Sequence, residues 1–131
     1  MSREDLALVD RAFEALARGD YAAAIGCYAP DVEFMPLRSA TEGVFRGHAG
    51  LERFLADTLE SFETFEPHYE LRDLGAGRVL AWGTIHVRGS GSGVEMDIPT
   101  GGIFELRKGK IVRWQDFGSK EKALEAVGLR E

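Results

Sequence analysis

Leu6, Val9, Phe13 and Leu16 recur at steps of three and four, which marks one apolar face of a first helix. Ser2, three residues before Asp5, supplies a capping region for it. Gly19-Asp20 ends this helix, and Asp20 is placed to cap a second one over Tyr21 to Tyr28, which Pro30-Asp31 breaks. Val32 to Leu37 reads as a short strand and residues 42–47 as a connecting loop. Leu51, Phe54, Leu55, Leu59 and Phe62 then lay a second apolar stripe along a helix of about 15 residues.

From Phe65 onward the pattern changes to strands. Phe65 to Leu74 runs into the turn Gly75-Ala76-Gly77. Arg78 to Arg88 alternates, with Ala81, Gly83, Ile85 and Val87 on one face and Trp82, Thr84, His86 and Arg88 on the other. After the glycine-serine loop at 89–93 come Val94 to Leu106, the tight turn Arg107-Lys108-Gly109-Lys110 and Ile111 to Phe117. A last helix over Lys120 to Val127 closes the series.

The predicted order is α-α-β-α-β-β-β-β-α, an α+β fold of one domain over residues 1–131. Short turns force the long strands into an antiparallel meander, and the helices are expected to cover one face of it. Gly83, Gly101 and Gly102 allow the long strands to bend. A strongly curved sheet wrapped around helices makes a cone, and a cone that side chains leave partly empty is a pocket.

Charge and composition narrow the functions. The net charge is −6 and no basic run extends beyond Arg107-Lys108-Gly109-Lys110, which argues against a nucleic-acid partner. No stretch reaches the ~20 apolar residues of a membrane span, and Met1 to Asp5 is not a basic leader, so the expectation is a cytoplasmic protein with no membrane partner. Cys27 is the sole cysteine and reads as a buried thiol. Three dispersed histidines, His48, His68 and His86, lack metal-ligand spacing, so no metal is expected. The 89–93 loop lacks the lysine and helix of a phosphate-binding loop, and no cofactor is implied.

Three segments in order carry a resemblance: Ala17-Arg18-Gly19-Asp20, Phe45-Arg46-Gly47-His48-Ala49-Gly50, and the long run Gly102 to Phe117 containing Trp114-Gln115-Asp116-Phe117. Together they resemble the nuclear transport factor 2-like fold shared by ketosteroid isomerases, limonene epoxide hydrolases and SnoaL-like polyketide cyclases. The resemblance covers nearly the whole chain, but the fold hosts many chemistries. The isomerases' aspartate base, tyrosine and protonated aspartic acid fall on Pro36, Ala12 and Gly102, so the resemblance implies no steroid isomerisation. Of the epoxide hydrolase groups, one aspartate falls on Asp116, while the arginine and the other aspartate fall on Gly83 and Ile85. A one-residue slip would instead turn Thr84 and His86 inward; the apolar set favours no slip. The cyclase resemblance implies a carboxylate acid/base at Asp116, with His86 the candidate partner.

The expected site is therefore Asp116 on an apolar strand face beside Trp114 and Val112, where desolvation would raise its pKa toward the range useful for proton transfer. The competing structural role is hydrogen bonding to Tyr28 or capping a turn or the last helix. Trp114, Tyr28, Phe34, Pro36, Phe54, Leu55, Ile85, Thr100 and Gly102 are the expected ligand-binding residues. The expected function is binding of a small, largely apolar or aromatic molecule, with cyclisation, isomerisation or hydration through Asp116 if the protein is an enzyme. The alternatives are a non-catalytic binding module, a dimerising module with a filled cone, or an epoxide hydrolase-like enzyme. The resemblance also implies a homodimer through the sheet face bearing Trp82, Thr84, His86 and Arg88.

Overall fold

The computed structural model describes residues 2–37 and 39–129. Helix α1 (Ser2–Ala17) is followed by α2 (Tyr21–Gly26) and strand β1 (Tyr28–Met35). A single helical turn α3 (Ser39–Glu42) leads into the segment read as a loop, and a two-residue strand β2 (Phe45–Arg46) lies within it. Then come α4 (Gly47–Ser61), β3 (Phe62–Gly75), β4 (Arg78–Gly89), β5 (Glu95–Arg107), β6 (Lys110–Asp116) and α5 (Lys120–Ala126). The α+β class and the curved sheet agree with the sequence reading.

The six strands lie in the order β2-β1-β6-β5-β4-β3. All neighbours are antiparallel except β1 and β6, which run parallel with Phe34 opposite Trp114. The hairpin β5–β6 turns at Lys108 (φ 52°) and Gly109 (φ 73°), two successive left-handed residues that suit the strand twist. Asp20 accepts from the Ala23 N–H at 3.2 Å and caps α2, as its sequence position predicts. Ser119 does the same for α5 from Lys122.

Two cores result. On the concave face, Leu8, Val9 and Ala12 of α1 and Leu51 of α4 pack on Val32, Val79, Ala81, Phe104, Ile111 and Trp114. On the convex face, Ala123 and Leu124 of α5 pack on Leu80 and Ile103, with Trp82 and Phe117 beside them. The helices thus cover both faces, which corrects the expectation of one. The reason is the apolar row of Leu80, Trp82 and Ile103 that β4 and β5 present outward, which α5 closes.

Other differences are local. Tyr28 is the first residue of β1, not the end of the second helix, and Phe62 opens β3 after capping α4. Pro30 and Asp31 lie within β1. A bulge changes the face of Val112: Leu106 pairs with Ile111 and Glu105 with Arg113, leaving Val112 as an extra residue among Asp31, Glu33 and Arg113. Ile111 takes the inward position instead.

Gly83 holds the close approach of β3 and β4. Its φ is 155°, and a Cβ there would collide with the His68 carbonyl of the paired strand. Gly83→Ala is therefore expected to lower stability by about 1–3 kcal/mol, measured as a reduced urea midpoint at unchanged slope.

Candidate functional site

Between α1, α2, α4 and the concave sheet face lies a cavity of about 100 Å3. That is below the ~300–1,000 Å3 of common ligand pockets and nearer the ~150 Å3 of a site that accepts benzene. Aromatic packing explains the size. Phe34 and Phe54 sit 4.8 Å apart, Phe104 and Trp114 4.3 Å, and Phe13 stacks on Tyr69 at 4.7 Å. Phe13, Leu16, Leu55, Phe65 and Pro67 also line a neighbouring outer cleft of about 630 Å3, whose rim carries Arg18, Glu63, Glu66 and His68.

Seven of the nine expected ligand-binding residues line this cavity: Trp114, Tyr28, Phe34, Pro36, Phe54, Leu55 and Ile85. Asp116 lines it too. Ile85 in the wall shows that β4 has no register slip, and Thr84 and His86 face away. Thr100 and Gly102 do not line it. Thr100 is buried beneath Asp116, and the space beside Gly102 is filled by the Trp114 ring, which an added Cβ would strike.

Asp116 ends β6 half-buried. Its Oδ2 accepts from the Thr100 hydroxyl at 2.7 Å, and its Oδ1 accepts from the N–H of Gly118 at 2.8 Å and of Gly101 at 3.4 Å. Gly118, at φ 91°, makes the turn that aims its N–H back at the carboxylate. These donors compensate a charge that would otherwise be costly at an apolar wall. Part of the structural role foreseen for Asp116 is thus real: it holds a turn, though it does not bond Tyr28.

Tyr69 was not foreseen. Its hydroxyl donates to Thr100 Oγ1 at 3.5 Å, which joins it to Asp116 through one residue. The signal was available: Phe65, Pro67, Tyr69 and Leu71 alternate along β3 as its apolar set, with one hydroxyl among them. Burial is the main cause that pushes the Tyr69 phenol up to about 12, with the Asp116 charge adding to it against the Thr100 hydrogen bond. Burial first, then the neighbouring Tyr69 and Cys27, likewise holds Tyr28 above the ordinary phenol range. Both tyrosines are neutral hydroxyls at physiological pH. His48 at the start of α4 fixes the Tyr28 backbone, its Nε2 lying 2.8 Å from the carbonyl oxygen.

His86 does not join the cavity. It lies on the convex face with Nδ1 2.8 Å from Asp97 and Nε2 3.0 Å from Glu95, and Glu66 of β3 is its opposite neighbour. Trp82 on that face is packed beside α5, with Lys120 Nζ 4.4 Å from its ring centre, so its own chain covers part of it. Among the described residues, no three His, Cys, Asp or Glu side chains gather as a metal site. Among them, no helix is long and apolar enough to cross a membrane. Cys27 is half-buried with Sγ 3.6 Å from the Ala23 carbonyl.

The Asp97 hydrogen bond, then that of Glu95, raises the His86 pKa. This contribution is full below the unfolded value of about 6.5 and fades as pH rises through the higher folded value. His86→Gln should therefore lose most Tm relative to the parent at about pH 6 and least at about pH 8, read by thermal melts across that range.

The sequence matches the family described as "SnoaL-like domain" over residues 9–114. It is 35% identical over 128 residues to uncharacterised proteins of Mycobacterium tuberculosis and Mycobacterium bovis, covering 93% of this chain and 94% of each relative. Among solved structures, it superposes on TerC co-crystallised with polyporic acid (TM-score 0.77, 22% identity, 88% of this chain and 91% of that one). A candidate polyketide cyclase from Xanthomonas campestris gives 0.75 at 24% identity over 88% and 90%. An NTF2-like protein of unknown function from Burkholderia pseudomallei gives 0.78 at 18% over 95% and 98%. At these identities the likeness fixes the fold, which is that of the nuclear transport factor 2-like proteins.

Proposed function

The chain belongs to the SnoaL-like domain family, and we propose that its cavity binds a small, largely apolar or aromatic metabolite on which Asp116 performs acid/base chemistry without a cofactor. One observation carries this reading: a cavity walled almost wholly by aromatic and aliphatic side chains, with Tyr28, Tyr69 and Asp116 the only oxygen-bearing side chains in its wall among the described residues. Apolar walls select the ring, and a few placed polar groups orient it. The cavity's small volume favours a single ring inside, with any further substituents lying in the outer cleft.

Proton transfer suffices for cyclisation, isomerisation or hydration, and a positioned carboxylate contributes about 100- to 10,000-fold to such steps. That the polyporic acid complex and the candidate polyketide cyclases share the fold adds support for a ring-shaped ligand. A second reading, a binding module without chemistry, draws on the three donors that already occupy Asp116. A pair of chains joined through the convex face, at Thr84, His86 and Arg88, belongs to either reading.

Native mass spectrometry of the purified protein tests the pocket and reports the number of chains together. The expected result is a retained small aromatic or alicyclic molecule. No retained mass, together with no binding from a panel of one- and two-ring compounds, would sink the proposal. With a substrate in hand, Asp116→Asn should lower turnover by about 100-fold or more. Unchanged turnover would leave the binding module.

A further inference from the structure

Hydrogen-bond direction along Asp116, Thr100 and Tyr69 is fixed by valence. The Thr100 hydroxyl donates its one proton to Asp116 Oδ2, 2.7 Å away. Thr100 Oγ1 can then only accept from its other neighbour, so the Tyr69 proton points to Thr100, at 3.5 Å. With its proton so engaged, what Tyr69, a wall residue, has left to offer a ligand is a lone pair. Tyr28 is the reverse case. It lines the same cavity, and among the described residues its hydroxyl has no hydrogen-bond partner, so its proton is free for a ligand.

We infer that Asp116 acts on the ligand through a hydroxyl relay, Thr100 then Tyr69, so that the cavity offers one acceptor (Tyr69) and one donor (Tyr28) and selects a ring bearing a phenol or enol hydroxyl. This rests on the ring-binding function proposed above and adds the group that is recognised. A hydroxyl both donates and accepts at one oxygen, and so satisfies both tyrosines. A ketone meets Tyr28 alone. A carboxylate or phenolate meets the Tyr69 lone pair and the Asp116 charge behind it, in a wall that solvates neither.

The relay also moves a proton. The ligand O–H passes its proton to the Tyr69 oxygen as the Tyr69 proton moves to Thr100 and the Thr100 proton to Asp116 Oδ2. One O–H bond breaks and one forms at each hydroxyl, Asp116 ends as the neutral acid, and the ligand becomes a phenolate or enolate held by the Tyr28 O–H. The long Tyr69–Thr100 contact is the one that ligand binding would tighten. Thr100, buried and outside the wall, is a positioning residue, while Tyr69 and Tyr28 touch the ligand.

4-Nitrophenol tests this, because its absorbance distinguishes bound phenol from bound phenolate. Titrations at several pH values give a separate affinity for each form. The wild type should bind phenol about tenfold or more tightly than phenolate. Asp116→Asn keeps an oxygen for Gly101 and Gly118 but turns an amide N–H to Thr100, which reverses the chain and makes Tyr69 a donor. Its preference should fall to near one or invert. In a Thr100→Val background, the same Asp116→Asn change should shift the preference by less than about twofold, and Thr100→Ser should restore the coupling. An equal Asp116→Asn effect with and without the Thr100 hydroxyl overturns the relay and leaves a direct field effect. An absence of 4-nitrophenol binding by the folded wild type instead overturns the ring-binding function on which the relay rests.

Discussion

The Trp114 indole lies over Gly102, in the space where any side chain on that residue would stand. It sits 4.3 Å from Phe104 and meets the Tyr69 ring edge-on at 6.3 Å. This one packing decision sets the floor of the cone. Because β5 and β6 pair Phe104 with Trp114 and Gly102 with Asp116, fixing the indole also fixes where the carboxylate stands two residues later. Thr100, two residues before Gly102, is brought under the same carboxylate by the period of the strand.

The size of the cavity follows from that arrangement. A large ring placed over a glycine fills volume that other side chains would otherwise fill less completely, and interiors pack densely wherever they can. The remaining space is bounded by Phe34 and Phe54 on one side and by Phe13 and Tyr69 on the other. Rigid rings cannot collapse into it as flexible aliphatic chains would. The gap is therefore a consequence of shape, and the polar groups that reach it are few because the strands alternate. Each strand contributes one inward polar position at this depth or none.

Electrostatics are divided between the two faces of the sheet. On the concave face, neutral tyrosines and one carboxylate with three donors share an apolar wall. On the convex face, His86 is held between Asp97 and Glu95 near Glu66, in solvent. The same β4 alternation that sends Ile85 inward sends His86 outward, so a histidine and a carboxylate that look like partners on the chain are separated by the sheet.

Much of this was legible in the chain. Steps of three and four gave α1 and α4, alternation gave β4 and its faces, and Trp114-Gln115-Asp116 pointed to the cavity wall, because these signals are periodic and local. The second core under α5, the parallel pairing of β1 with β6, the bulge at Val112 and the placement of Tyr28 at a strand's start were decided only by tertiary structure. Each depends on which segments meet across long separations, and periodicity does not encode that. The same holds for Asp116. Its residue type and face were readable at once, but its partners, Thr100, Gly101 and Gly118, and through Thr100 the ring of Tyr69, are gathered from β3, β5 and a turn. Only the folded sheet sets the distances that decide what a carboxylate can do.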